Sequence, residues 1–145
     1  MTTAEYIEKA LRNTTRSSSF ASVITQKDYK TGNITVYSYG YHYPLVTIID
    51  GNAYVNDKGY SNTTAKHINW AYRAARNIVG GSHVYSAPIF GRGEQLTLDS
   101  IKTNATYEYN RLTAEMASKK RRDTFVYESL EHKANSMLAT IQAVA

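Results

Sequence analysis

From Leu96 to Ala145 the chain contains neither glycine nor proline. Fifty residues free of the two strongest breakers of regular structure favour long helices over short strands joined by tight turns. The segment is therefore expected to be helical, either as one long rod or as two helices folded near Lys119 to Asp123. Leu130, Ala134, Met137, Ile141 and Val144 recur at steps of four and three, which makes a narrow apolar seam. Leu112 and Met116 continue it before the run Lys119-Lys120-Arg121-Arg122 interrupts it. The seam packs on a sheet or on the same seam of a second copy, so a monomer and a homodimer through the C-terminal helix both stay open.

The first 95 residues follow another pattern. Residues 3 to 12 read as a short helix, with Thr2 or Thr3 available as cap and Ile7 and Leu11 four apart. Asn13 to Ser19 is rich in side chains that compete for backbone hydrogen bonds, which predicts a loop. Val23 and Thr25, then Ile34 and Val36, alternate around a turn at Lys30 to Asn33, where Gly32 supplies positive φ. Leu45 to Asp50 and Ala53 to Asn56 flank a turn at Asp50-Gly51-Asn52 and make a second hairpin. Pro44 lacks an amide proton and is expected at a strand start or an edge. A helix then runs from Ser61 or Asn62 to about Val79 and stops at Gly80-Gly81. His83 to Phe90 suits a fifth strand, interrupted by Pro88.

Together these segments predict one α+β domain: an antiparallel sheet of four or five strands, covered by an amphipathic helix and a long C-terminal helical segment. Residues 1–95 form the α+β core and 96–145 the helical part. At 145 residues and 42% hydrophobic content the chain can bury one ordinary core. It has no cysteine, so disulfides, thiolate metal sites and cysteine nucleophiles are excluded, which fits a reducing cytoplasm. The N-terminus has no leader pattern, and no stretch approaches the roughly 18 apolar residues of a membrane span. No membrane partner is expected.

Charge is distributed unevenly. Between Lys58 and Gly93 there is no acidic residue, yet Lys58, Lys66, Arg73, Arg76 and Arg92 all fall there. Elsewhere the charges balance, so the net +5 resides in that window. In the 62–79 helix, Ile68, Ala71, Ala75 and Ile78 share one face while Lys66, Asn69, Arg73 and Arg76 share the opposite one. Solvent faces normally mix signs into ion pairs four residues apart, so a purely basic face points to an anionic partner or to simple solvation.

A second constellation is Tyr37-Ser38-Tyr39-Gly40-Tyr41-His42-Tyr43-Pro44, drawn from an aromatic set of thirteen tyrosines against three phenylalanines. Alternation puts Tyr37, Tyr39 and Tyr41 on one face, where the phenols form a stacking platform or cover the sheet. His67 lies at the border of the helix's buried and basic faces. It reads as a packing residue tied to a strand hydroxyl, or, with His42, as one of two acid-base groups for phosphodiester cleavage assisted by Lys66. The Lys119 to Arg122 run is a phosphate clamp, a localisation-like patch or an ordinary charged helix surface. No P-loop, dinucleotide fingerprint, nucleophile elbow or metal-ligand spacing occurs, and neither a cofactor nor a metal is expected.

The stretch His42-Tyr43-Pro44-Leu45, followed by Tyr60-Ser61-Asn62-Thr63-Thr64-Ala65-Lys66-His67, resembles a pattern in small proteins of phages and mobile elements, over about residues 37 to 76. The resemblance implies a setting in which accessory proteins bind and block host defence complexes, anti-CRISPR proteins among them. The expected function is accordingly a non-enzymatic, cytoplasmic binding protein that inhibits a host protein or nucleoprotein complex. Its expected contact residues are Lys66, His67, Asn69, Arg73, Arg76, Tyr39, Tyr41, His42 and Tyr43. Direct nucleic-acid binding and a metal-independent nuclease are the alternatives.

Overall fold

In the computed structural model, residues 1–12, 18–20, 23–28, 30–38, 43–58, 62–88 and 97–145 are described. Tyr39, Tyr41, His42 and Arg92 lie outside them. Helix α1 (Thr3–Arg12) opens with Thr2, whose hydroxyl accepts from the Glu5 amide at 3.2 Å and donates to the Glu5 carboxylate. Strands β1 (Ser18–Phe20), β2 (Val23–Lys27), β3 (Ile34–Ser38), β4 (Tyr43–Ile49) and β5 (Asn52–Asn56) follow. Next come α2 (Asn62–Val79), a single 3-10 turn and β6 (Val84–Ala87). Helices α3 (Leu98–Ala117) and α4 (Phe125–Ala143) complete the chain.

The class is α+β, as the periodicities require. The strands lie in sequential order, five of them four to seven residues long and β1 a three-residue edge. Each hairpin turn has its chemistry: Gly32 at φ 79° between β2 and β3, and Asp50 at φ 51° with Gly51 at φ 82° between β4 and β5. The sheet differs from the expected meander at two places. Ser18 to Phe20 pair with β2 instead of continuing a loop. Moreover, β6 pairs with β5 in parallel, because an 18-residue helix intervenes and returns the chain to the end where β5 began. Gly80, at φ 87°, ends that helix where the sequence pattern predicts.

Alternation fixes the two faces. Register places Val36, Val46 and Val55 side by side, with Ile34, Ile48 and Ala53 in the next row. This face packs on α1 and α2 through Ile7, Leu11, Ile68, Ala71 and Ala75. The other face offers Ile49, Tyr54 and Ala87 to Ile101, Ala105, Leu112, Leu130, Ala134 and Met137 of α3 and α4. The C-terminal segment is thus two helices, folded at Ser118 to Thr124. Their seam is buried within the chain, so a homodimer through Leu130, Ala134 and Met137 would have to displace α3 or the sheet. Thr140 of α4 donates to the Ser86 carbonyl at 2.6 Å, tying the last helix to the edge strand β6.

A register shift between Val36 and Tyr37 gives β4 one extra residue, Leu45, opposite β3. Past this bulge Tyr43 pairs with Ser38, and both turn toward α2. Pro44, which has no amide proton to give to a ladder, sits at the irregularity.

Candidate functional site

On α2, the face away from the sheet carries Lys66, Asn69, Arg73 and Arg76, all exposed. The four ion pairs among the described residues involve Arg12, Arg111 and Arg121, and none involves these cations. Arg76 lies 6.0 Å from the ring centroid of Tyr72, a cation-π contact that steers the guanidinium along the helix surface. Helix α1 runs beside this face. Its Glu8 accepts from the Asn77 amide at 3.0 Å and from Arg12 at 3.2 Å. Those two hydrogen bonds, the Asn77 bond first, hold the Glu8 carboxyl below its ordinary range. Glu5, Glu8, Arg73 and Asn77 line one groove, and Lys66 and Arg76 are not among its lining residues.

His67 and Tyr43 are placed differently from the other expected contact residues. His67 is only 4% exposed, and its Nδ1 lies 2.7 Å from the Ser38 hydroxyl across the α2–β3 interface. Loss of water around the ring lowers its pKa, which favours the neutral imidazole that a serine partner satisfies. Its ring also lies 5.5 Å from that of Trp70. Tyr43 is likewise 4% exposed, and its hydroxyl donates to the Lys58 carbonyl. Neither side chain offers surface to a partner. Tyr37 is fully buried, so it contributes nothing to an exposed platform; the other members, Tyr39 and Tyr41, and also His42, lie outside the described residues.

A site with no local sequence signal lies where β5 and β6 end. Asp57 and Lys58 follow β5, Pro88 follows β6, and with Glu108, Arg111 and Lys133 they line a cleft of about 360 Å³. The C-terminal ends of the parallel pair β5 and β6 and the start of α2 meet at this edge. One buried side chain ties this edge together: Asn56 donates to the Pro44 carbonyl at 2.8 Å and accepts from the Lys58 amide at 3.1 Å. The Asp57 residue keeps exposed surface, yet its carboxyl is crowded enough that desolvation first, and then the Glu108 charge, push its pKa up to about 6. Lys133 opposes the shift. Glu108 is held by Arg111 in a two-bond ion pair one turn along α3. No group of three His, Cys, Asp or Glu able to hold a metal occurs among the described residues. Nor is any described helix long and apolar enough to cross a membrane.

No protein-family model, curated protein or solved structure matches the chain.

Proposed function

We propose that this chain is a non-enzymatic binding protein that docks the outer face of α2 onto an anionic macromolecular surface. The partner is of the nucleoprotein kind implied by the phage-like pattern, and its inhibition is the biological role. One observation carries this reading: Lys66 and Arg76, with Arg73 between them, project from one helix face outside every ion pair among the described residues. Unpaired cations on a rigid helix give a field that attracts phosphates or an acidic protein patch at long range. Direct nucleic-acid binding shares that field. His67, one of the two groups the nuclease alternative needs, is 4% exposed and bonded to Ser38, which favours the binding reading over it.

Heparin and a labelled DNA duplex are suitable probes of the face. The Lys66→Glu, Arg73→Glu double variant is expected to elute from heparin at lower salt. Its log-affinity against log-salt slope for duplex DNA should be shallower by about two, roughly one for each lost phosphate contact. Elution and slope unchanged from the parent protein would remove the proposed face. Cleavage of labelled strands in chelator, abolished by His67→Ala, would restore the nuclease reading.

A further inference from the structure

The fold of α3 on α4 gathers a second cluster that the α2 face does not use. Lys119, Lys120, Arg121 and Arg122 are consecutive and exposed in the connecting turn. Between Ser118 and Tyr127 they meet one acidic residue, Asp123, which pairs with Arg121 at 3.1 Å. Both partners are mostly in solvent, so water and salt screen that pair. Thr124 then caps α4 by accepting from the Tyr127 amide at 3.2 Å. In the first turn of α4, Phe125 stands 85% exposed and Val126 54%. Single exposed apolar residues are ordinary on protein surfaces. A nearly bare phenyl ring, separated from four consecutive cations by Asp123 and Thr124 and placed beside a helix N-terminus, combines a flat apolar contact with nearby positive charge.

The position of this turn adds to the argument. Glu108, Arg111 and Lys133 lie level with the ends of β5 and β6, because they share a cleft with Asp57 and Pro88. Beyond Arg111, α3 runs on to Ala117, and α4 begins at Phe125, before Lys133. At about 1.5 Å per residue the turn projects roughly 9 to 12 Å past the sheet. It does so at the end where β5 hands over to α2, the helix that carries Lys66.

We infer that the α3–α4 turn grips single-stranded nucleic acid, with Phe125 stacking on an unpaired base while Lys119, Lys120 and Arg122 hold the flanking phosphates. The inference rests on the reading of α2 as an anion-docking face and names a strand as part of the anionic partner. A duplex would have to unstack before the ring could insert, whereas a strand presents its bases freely. Lys66, in the early turns of α2 at the same end, adds a further cation for a flexible polyanion that passes the sheet edge. A lipid surface would engage the projecting turn and leave Lys66 unused.

Fluorescence anisotropy of a labelled oligothymidine of about 20 nucleotides at low salt, with a duplex of equal length as control, tests this. Phe125→Ala should weaken strand binding by about 5- to 150-fold, the loss expected for one stacked base, and leave duplex binding unchanged. Lys119→Glu with Lys120→Glu should flatten the salt slope by about 1.4 for the strand. Phe125 is exposed, so circular dichroism should show all variants folded. If these variants bind the strand normally while Lys66→Glu, Arg73→Glu does not, the turn is excluded and the α2 reading stands. If the parent protein ignores the strand, the inference fails. Phe125-dependent binding to phosphatidylserine vesicles would then assign the turn to a lipid surface.

Discussion

The two ends of β5 show how one residue type acquires opposite electrostatic character. At the end where β5 starts, Asp28, Asp50 and Asp99 line a polar cleft of about 350 Å³ with Gln26 and Thr31. The Asp28 carboxylate accepts from the Lys30 amide at 3.0 Å and the Thr31 hydroxyl at 2.9 Å, and these bonds lower its pKa. Where β5 finishes, Asp57 has Glu108 as neighbour and less water, and its pKa rises to about 6. A turn that satisfies its own carboxylate keeps it ionised. A cleft assembled from three distant segments leaves its carboxylate poised to take a proton near neutrality. The difference comes from donors and solvent, not from the residue.

The largest effect is expected where the second end is held together. Asn56→Ala strands the buried Pro44 carbonyl and frees the Lys58 amide, which should cost about 2 to 3 kcal/mol in urea unfolding. An unchanged midpoint would show that the Asp57 cleft does not depend on that bridge.

Asp57→Asn is the next most informative change. A folded pKa above the unfolded value means that the protonated acid stabilises the fold below about pH 4, and that this stability is lost as pH rises through 6. The asparagine variant should therefore gain on the parent protein between those values and keep its advantage at pH 7. Because the residue keeps exposed surface, screening holds the gain to about 2 °C in Tm. A difference that does not vary with pH would mean that Asp57 titrates normally.

His67 has the opposite sign. Its folded pKa is depressed, so its contribution is present above about pH 6.5 and is lost as pH falls below that value. His67→Gln should flatten the acid limb of the stability profile, and an unaltered limb would contradict a buried neutral ring. The smallest change belongs to Asp28→Asn. Its lowered pKa stabilises the fold above the ordinary aspartate range and is lost below it, so the variant should be slightly less stable at pH 7 and equal near pH 2.

The parts legible in the sequence were those whose cause is local. Gly32, Gly51 and Gly80 each take the positive φ that their positions require, and Ala71 and Ala75 of α2 face the sheet as their spacing demands. The basic face of α2 follows from the same periodicity. Three features depended on distant partners. A helix crossover, not a turn, sets the direction of β6. The bulge at Leu45 turns Tyr43 to the α2 face, where simple alternation along β4 would not place it. The Asp57 cleft joins residue 57, the Glu108–Arg111 pair and Lys133 from three separate segments, which no local spacing connects.

The bond from Thr140 to Ser86 also bears on association. The Ala87 carbonyl accepts from the Asp57 amide and so points toward β5, which by strand alternation turns the Ser86 carbonyl outward. An outward carbonyl on a rim strand is a docking point for a foreign chain seeking to extend the sheet. With a hydroxyl of α4 seated on it, the Ser86 carbonyl is closed to an incoming strand.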